Sequence, residues 1–415
     1  MRSRTIRVYE FEKLTLEPDN RGQCLSSKEL ESLVKFNDEN DQVYFSPIHK
    51  GIKFSHYVGV LQVDGLTLEI IPKADRSTNN SISEQLHWRN ALISMLKICK
   101  KISPDIVDEA NLKKRPMSLM DIYFKMYLDE IAGLLHRGLF KQYKSQEGNI
   151  KAWKGRMNFS KNIQHNLVRK DLFYTTHQTY NFDHTLNRIL LKAINIISQI
   201  STNQELQLES QLLGSLFPEM SDQVISEITF KRIRKSRKLK PFLQALDIAK
   251  IIILNYSSDI KSGNTKLLAL LFDMNKLWEE YLFRMLLMCK LDAFSVSAQQ
   301  SQKFWAHKSI RPDLVIQLNG ETFVIDAKWK IIDHYNPSDA DLKQMYAYNM
   351  YWDAHKSMLL YPRASNTLFE ESFKDFYKGR ESDNLCKLGF IGVLDKKGNL
   401  NQEIGYEIIE KLLAT

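Results

Sequence analysis

The chain has 415 residues, of which 43% are hydrophobic and 26% charged, which excludes a largely disordered or low-complexity protein. At about 100–200 residues per domain, this length predicts two to four domains. No apolar run reaches the roughly 18 residues of a membrane helix, and the N-terminal segment lacks the apolar centre of a signal peptide. Four widely spaced cysteines indicate neither a zinc module nor a disulfide scaffold, so we expect a cytoplasmic protein.

The positive charge is concentrated in two parts of the chain. Lys and Arg number 58 against 49 Asp and Glu, a net charge of +9 that favours polyanionic partners. Residues 111–171 hold 13 Lys/Arg and 5 Asp/Glu, with aromatic residues between them, and residues 231–240 hold seven cations and no acid. Both clusters could neutralise phosphates. The alternative is a solvated face or a mobile basic loop, and the sequence leaves both readings open.

The first 83 residues are predicted to form a β-rich module. Residues 6–12 alternate apolar and charged side chains, as a half-buried strand does, and residues 42–45 are a short strand candidate. Two strand-like runs, 57–63 and 66–71, flank Asp64-Gly65, a dipeptide typical of a tight hairpin turn. The polar segment 76–83 then predicts a loop.

Residues 84–265 are predicted to be a basic, mainly helical middle region. Helical spacing of apolar residues predicts helices over 86–98, 121–139, 186–200 and 242–256. Asp183 or Thr185 is expected to cap the third of these helices. The segment 141–171 is polar and basic and carries no helical or strand period, so it is predicted to link the helices.

Residues 266–415 are predicted to form an α/β domain. A helix over 274–291 precedes two strands, 314–318 and 322–329, which are joined by the turn dipeptide Asn319-Gly320. A helix over 341–351, strands over 358–361 and 388–394, and a strand or helix within 403–413 follow. The whole chain is therefore predicted to be an α+β multidomain protein.

The sharpest chemical signal is Arg311-Pro312-Asp313, followed thirteen residues after the Asp by Asp326-Ala327-Lys328. Residues two apart on a strand point to the same face, so Asp326 and Lys328 share one face, and the hairpin can bring Asp313 beside them. Two carboxylates repel each other unless a cation lies between them. The expected cation is Mg²⁺, with Mn²⁺ as a substitute, because Mg²⁺ binds through one or two carboxylates and keeps several waters.

Such a site can hydrolyse a phosphodiester. Asp313 and Asp326 would hold the metal, and Lys328 could orient or deprotonate a water and stabilise charge that develops on the phosphate. The alternative is an ordinary hairpin that carries a surface ion pair.

This pattern resembles the PD-(D/E)XK nuclease signature, with Asp in its second acidic place. The resemblance implies a restriction-endonuclease-like fold for residues 266–415. It also suggests Glu279, on the preceding helix, as a third metal ligand acting through a water, with Glu280 as its competitor. Gln344 and Tyr348 have the Q-x-x-x-Y spacing of RecB-like nucleases, which suggests that Gln344 positions a phosphate or Lys328.

Further segments resemble the McrC family, the nuclease subunits of McrBC-type restriction systems. Their order is similar over about residues 6–362, and the segments are 59–75, 123–139, 155–157, 181–193, 277–283, 311–316, 324–330, 344–348 and 359–362. The resemblance implies a partner AAA+ GTPase of the McrB type that binds GTP and recognises modified cytosine, and a double-stranded DNA substrate. It implies that the N-terminal module docks on the partner ring and stimulates its GTP hydrolysis. The chain itself has no GxxxxGK[ST] phosphate loop, so we expect it to bind no nucleotide.

Two other functions remain open at the level of sequence. One is a stand-alone RecB-like repair nuclease that cuts without a GTPase. The other is a non-catalytic adaptor that activates an NTPase, although clustered carboxylates have no evident use in a scaffold.

Overall fold

A computed structural model of the chain describes residues 4–63, 65–74, 81–101, 118–233, 236–258, 266–332, 336–363, 367–374 and 381–414. Within these ranges the protein is α+β, with its strands distributed over several sheets. No helix in the described ranges is both long and apolar enough to cross a membrane. Contacts divide the chain into two compact units, one of Met1–Leu119 with Ala269–Thr415 and the other of Met120–Leu268. The predicted division at residues 83 and 265 stays a prediction.

The N-terminal part of the first unit is rich in strands. Its elements are β1 (Arg4–Tyr9), β2 (Lys13–Thr15), α1 (Ser27–Glu39), β3 (Phe45–Ile48), β4 (Gly51–Phe54), β5 (Tyr57–Val63), β6 (Leu66–Ile71) and α2 (Ile82–Ile98). The predicted antiparallel pair β5–β6 is confirmed, whereas Asp64 of its turn lies outside the described residues. Every residue of β6 is buried, including Glu69, whose carboxylate pairs with Arg7 at 2.8 Å and with Arg89 at 3.2 Å.

The middle of the chain combines helices with a small sheet. Its elements are α3 (Leu119–Arg137), β7 (Gln142–Ile150), β8 (Arg156–Met157), α4 (Phe159–Asn166), β9 (Phe173–Asn181), α5 (Thr185–Ile200), α6 (Gln204–Ser215), α7 (Glu227–Lys231), a 3-10 helix (Arg237–Phe242), α8 (Leu243–Leu254) and β10 (Tyr256–Ser258). The apolar stripe of α5 is buried against α6 and α8. Tyr127 of α3 donates a hydrogen bond to the Leu190 carbonyl oxygen of α5 at 2.7 Å, so α3 belongs to the same packed group.

The C-terminal part returns to the first unit. Its elements are β11 (Lys266–Asp273), α9 (Met274–Met288), β12 (Phe294–Ala298), β13 (Gln302–Trp305), β14 (Lys308–Ile310), β15 (Leu314–Leu318), β16 (Glu321–Ala327), α10 (Asp339–Trp352), β17 (Lys356–Arg363), β18 (Thr367–Lys374), β19 (Glu381–Gly392) and α11 (Ile404–Leu413). The strands β13 and β14 form a separate hairpin.

Two larger sheets organise the first unit. One has the order β1-β6-β5-β11, with β1 parallel to β6. The first residues of β11 belong to the second unit, where they pair with β10. The other has the order β12-β15-β16-β17-β19-β18, with β16, β17 and β19 parallel. Helix α10 packs on β16, β17 and β19, while α11 packs on α9 and β19. The predicted α/β character of this region is therefore confirmed.

The turn between β15 and β16 adopts the predicted tight form. Asn319 and Gly320 both have positive φ, 52° and 86°, as a two-residue hairpin of type I′ requires. The register pairs Leu318 with Glu321 and Leu314 with Ile325, which fixes the two strand ends opposite the turn.

Several predictions from the sequence need correction. The segment 141–171 is not a featureless linker, because it forms β7, β8 and α4, and β9 completes a sheet of order β7-β9-β8. The side chains of β7 are exposed or half-exposed, so no apolar alternation marks it as a strand. The short strand predicted at 42–45 begins instead at Phe45.

Two helix starts also differ from expectation. His184, rather than Asp183 or Thr185, caps α5, because its Nδ1 accepts a hydrogen bond from the Leu186 amide at 3.1 Å. Asp183 instead accepts hydrogen bonds from Arg188 and Ser221. Helix α1 was missed, although Ser26 and Glu29 form a capping box at its start.

Gly59 provides a test of the packing between β5 and β11. Its φ is +138°, and a Cβ at this position would lie 2.1 Å from the Leu270 carbonyl oxygen. We expect Gly59→Ala to lower the free energy of unfolding by more than about 2 kcal/mol, measured by urea denaturation. Gly148→Ala, where a Cβ meets nothing within 4 Å, is the matched control. Equal stability of the two variants would contradict this packing.

Candidate active site

The β15–β16 hairpin brings the two predicted aspartates together. Asp313 directly precedes β15, and Asp326 lies near the end of β16. The pairing of Leu314 with Ile325 places the two carboxylates at the same end of the hairpin. Asp313 Oδ2 accepts a hydrogen bond from the Ala327 amide at 2.8 Å, which ties its carboxylate to the strand that carries Asp326.

Lys328 completes the group. Its Nζ lies 2.5 Å from Asp326 Oδ2, in ion-pair contact but not in hydrogen-bonding geometry. Asp326 is 1% exposed, so this oxygen is shielded from water by protein. The predicted convergence of two carboxylates and one ammonium therefore occurs.

Burial makes both carboxylates hard to ionise, and repulsion by neighbouring carboxylates adds to the effect. Burial and the charges of Asp326 and Glu279 raise the pKa of Asp313 from 3.8 to about 8. Burial also raises the pKa of Asp326, although Lys328 opposes that change. The pair consequently holds a proton near neutral pH unless a cation replaces it.

The ammonium of Lys328 stays charged in this setting. Burial lowers its pKa, but Asp326, Asp313 and Asp341 favour the cation, and the pKa of Lys328 is raised overall from 10.5. A protonated lysine donates hydrogen bonds and cannot accept a proton. Of the two roles considered for Lys328, orienting a water or deprotonating it, the structure favours the first.

Glu279 and its neighbour Glu280 have different surroundings. Burial and the charge of Asp326 raise the pKa of Glu279, so its carboxylate interacts electrostatically with Asp326. Gln299 donates a hydrogen bond to Glu279 Oε2 at 3.4 Å. Glu280 instead pairs with Lys101 at 3.0 Å, and the choice between the two glutamates stays a prediction.

Gln344 lies on α10 and is hydrogen-bonded to Tyr348. Its Nε2 donates a hydrogen bond to the Tyr348 hydroxyl at 2.6 Å, and that hydroxyl donates to the Arg311 carbonyl oxygen at 2.9 Å. Tyr348 therefore ties α10 to the residue two before Asp313. Direct positioning of a phosphate or of Lys328 by Gln344 stays a prediction.

The aspartate pair has the chemistry of a magnesium site. Carboxylate oxygens are the ligands that Mg²⁺ prefers, and Asp326 Oδ2 is a buried carboxylate oxygen in ion-pair contact with the Lys328 ammonium at 2.5 Å. Within the described residues, no three His, Cys, Asp or Glu side chains are grouped closely enough to hold a metal. The pair thus fits a metal held by two carboxylates and water, whereas the contribution of Glu279 through a water stays a prediction.

Reasoning from sequence missed Asp341 and Lys330. Lys330 Nζ lies 2.6 Å from Asp341 Oδ2, and Lys328 Nζ lies 3.9 Å from Asp341 Oδ1. Asp341 thus adds a negative charge on the far side of Lys328. The spacing of two lysines around Trp329 was a visible signal, but nothing in the sequence paired either lysine with α10.

The basic clusters are described only in part. Residues 111–117 and 234–235 lie outside the described residues. Tyr143 on β7, Trp153 between β7 and β8, and Phe159 on α4 are exposed. Lys141 lies over the Phe182 ring at 4.1 Å. Contact between these residues and DNA stays a prediction.

Comparison with known families identifies the chain. Residues 52–362 match the family model of the McrBC 5-methylcytosine restriction system component. The chain belongs to the McrBC family. This confirms the resemblance seen in the sequence segments, and the match includes Glu279, Asp313, Asp326, Lys328 and Gln344.

Solved structures share the fold. A chain of the "refined half-complex from tetradecameric assembly of Thermococcus gammatolerans McrB AAA+ hexamers with bound McrC" is 19% identical, with a TM-score of 0.71 over 99% of both chains. A chain of the Thermococcus gammatolerans McrBC complex, determined by cryo-EM, is 20% identical, with a TM-score of 0.53 over 69% of this chain and 88% of that one. A comparison with curated proteins gives no match.

The raised pKa of Asp313 predicts how stability depends on pH without metal. The folded state keeps a proton that the unfolded state releases near pH 3.8, so this stabilisation is full below about pH 4 and is lost as pH rises through about 8. We expect the free energy of unfolding in EDTA to fall by on the order of 2 kcal/mol between pH 5 and 8, and Asp313→Asn to flatten this decline.

Urea denaturation at each pH measures the effect. The exposed Asp292, changed to Asn, is the control and should keep the wild-type slope. An Asp313→Asn protein with the full wild-type slope would show that Asp313 does not retain the proton.

Proposed function

We propose that the chain is the nuclease subunit of a McrBC-type restriction complex and hydrolyses phosphodiester bonds of methylcytosine-containing double-stranded DNA in the cytoplasm. The observation that carries the proposal is the convergence of Asp313, Asp326 and Lys328 in a member of the McrBC family. In this proposal, residues 266–415 form the PD-(D/E)XK domain. A structural scaffold gains nothing from burying two repelling carboxylates, because both groups lose hydration.

Each side chain has a distinct task in this reaction. Asp313 and Asp326 would hold Mg²⁺, which when bound would neutralise phosphate charge and lower the pKa of a water. Lys328 keeps its proton, so it orients the attacking water and donates hydrogen bonds to the phosphate as negative charge develops. Gln344 keeps Tyr348 against the backbone that leads into Asp313.

The proposed partner is an AAA+ GTPase of the McrB type. The structural relative that covers 99% of the chain comes from an assembly described as McrB AAA+ hexamers with bound McrC. We propose that the β-rich module of residues 1–83 docks on such a ring and stimulates GTP hydrolysis. The absence of a phosphate-loop motif from the sequence supports placing the nucleotide on the partner. The middle region, 84–265, would link this module to the nuclease and approach DNA through its basic clusters.

Two alternatives predict different behaviour in solution. A stand-alone RecB-like nuclease would cut without GTP, without the partner and without methylation. A non-catalytic adaptor would stimulate the GTPase and cut nothing. The raised pKa of both aspartates favours a metal-binding, catalytic site over the adaptor.

Replacing Asp326 tests the proposal. We expect Asp326→Ala to reduce cleavage of a methylated plasmid by at least about 10³-fold, because the metal loses one of its two carboxylates. The assay contains the chain, its AAA+ partner, GTP and Mg²⁺, and gel electrophoresis measures the cleavage rate. Stimulation of the partner's GTP hydrolysis should stay at the wild-type level.

The control variant is Glu321→Ala, which removes an exposed carboxylate from the start of the same strand. It should cut at the wild-type rate. Cleavage by Asp326→Ala at that same rate would contradict the proposed site, and cleavage that ignores partner, GTP and methylation would favour the stand-alone nuclease.

A further inference from the structure

A buried carboxyl from the N-terminal sheet reaches the segment that carries Lys328. Glu10 directly follows β1 and is 6% exposed. Its Oε1 accepts hydrogen bonds from the Trp329 indole Nε1 at 2.6 Å and from the Lys73 amide at 3.0 Å. Glu10 and Trp329 are 319 residues apart in sequence. This hydrogen bond therefore joins the β1-β6 end of one sheet to the end of β16 in the other.

Trp329 lies between two residues of the candidate site. It follows Lys328 in sequence, and its ring packs edge-on against Trp278, with centroids 5.2 Å apart. Trp278 directly precedes Glu279 on α9, and both indoles are buried. A shift of the Trp329 ring would therefore disturb the backbone at Lys328 and the helix face at Glu279 together.

Side chains, rather than a strand ladder, fix the segment from Lys328 to Lys330. Strand β16 ends at Ala327, and the Lys328 amide makes one further hydrogen bond, to the Leu360 carbonyl oxygen at 2.9 Å. Beyond that point, the Lys330 amide donates a hydrogen bond to the Lys328 carbonyl oxygen at 3.0 Å within the segment itself. The contacts that tie the segment to other elements are the indole of Trp329, which bonds to Glu10, and the ammonium of Lys330, which bonds to Asp341 at 2.6 Å. These two anchors hold the backbone on the C-terminal side of Lys328.

The buried position of the Glu10 carboxyl lowers the stability of the fold, which indicates that this group has a specific role. Burying a carboxyl among apolar side chains costs free energy, which an apolar residue of similar size would avoid. Burial raises the pKa of Glu10 to about 7, and its Oε2 lies buried without a hydrogen-bond partner. The carboxyl is therefore held in place by the two hydrogen bonds that its Oε1 accepts.

We propose that Glu10 is a positioning residue for the nuclease site, which holds the Trp329 indole and thereby keeps the Lys328 ammonium over Asp326. The inference rests on the proposed function for its catalytic consequence. The hydrogen bond makes the alignment of Lys328 depend on the N-terminal sheet. A misplacement of about 1 Å at a catalytic group can cost on the order of 100-fold in rate.

Three variants in the full chain separate positioning from folding. Glu10→Ala removes the acceptor, Glu10→Gln keeps an acceptor oxygen in nearly the same shape, and Trp329→Phe removes the donor but keeps an aromatic ring. We expect Glu10→Ala and Trp329→Phe to cut methylated plasmid about tenfold more slowly, with an unchanged KM for DNA and unchanged GTPase stimulation. Glu10→Gln should restore the rate to within about twofold of wild type, because the amide oxygen accepts the same bonds.

Two exposed residues supply matched controls. Glu17→Gln changes a carboxylate whose side chain is 75% exposed, and Trp305→Phe changes an indole that is 72% exposed. Both should cut at the wild-type rate. Thermal unfolding shows whether each variant folds, and if Glu10→Ala does not fold, Trp329→Phe decides the question.

Hydrogen exchange supplies a readout that does not depend on cleavage. In Glu10→Ala and Trp329→Phe, the peptide that covers residues 326–330 should exchange about tenfold faster than in wild type, while the peptide of β7, which belongs to the second unit, is unchanged. Unchanged exchange, unchanged cleavage, or a Glu10→Gln protein as slow as Glu10→Ala would each overturn the positioning role. If the wild-type complex does not cut DNA, or cuts it equally well when Asp326 is replaced, the proposed function is contradicted, whatever the exchange result.

Discussion

Two carboxylates, Asp313 and Asp326, occupy one partly buried space at the end of the β15–β16 hairpin, and much of the surrounding structure follows from this constraint. Burial raises the pKa of both carboxyl groups, and the charge of Asp326 raises the pKa of Asp313 further. Lys328 offsets part of the negative charge from within the same motif. A proton or a divalent cation must balance the remaining negative charge. The repulsion between the carboxylates therefore favours the binding of a divalent cation.

Four parts of the fold hold this pair and its neighbour Lys328 in place. The tight turn at Asn319-Gly320 fixes the hairpin register, so Asp313 reaches the Ala327 amide. Helix α10 contributes the Tyr348 hydroxyl on the Asp313 side and Asp341 beside Lys328. Helix α9 contributes Trp278, against which Trp329 packs. The N-terminal sheet adds the Glu10 carboxyl, which connects the module proposed to dock on the partner directly to the proposed site.

The sequence predicts the features that depend on local pattern. Strands β15 and β16 and the Asn319-Gly320 turn were predicted because apolar runs flank a turn dipeptide, and the short spacing then placed Asp313 near Asp326. The sheet β7-β9-β8 was missed because β7 exposes most of its side chains, so no apolar alternation marks it as a strand. The bond between Glu10 and Trp329 was out of reach, since no local rule pairs residues 319 positions apart.

Binding of Mn²⁺, followed by electron paramagnetic resonance, tests most directly whether the aspartate pair is a metal site. We expect the wild-type protein to bind Mn²⁺ with a lower Kd at pH 8 than at pH 6, because the cation must displace the proton of the aspartate pair. Asp313→Asn and Asp326→Asn should weaken binding at least about 100-fold, while Asp292→Asn should not change it. If all four proteins bind Mn²⁺ with equal affinity, Asp313 and Asp326 do not form a metal site.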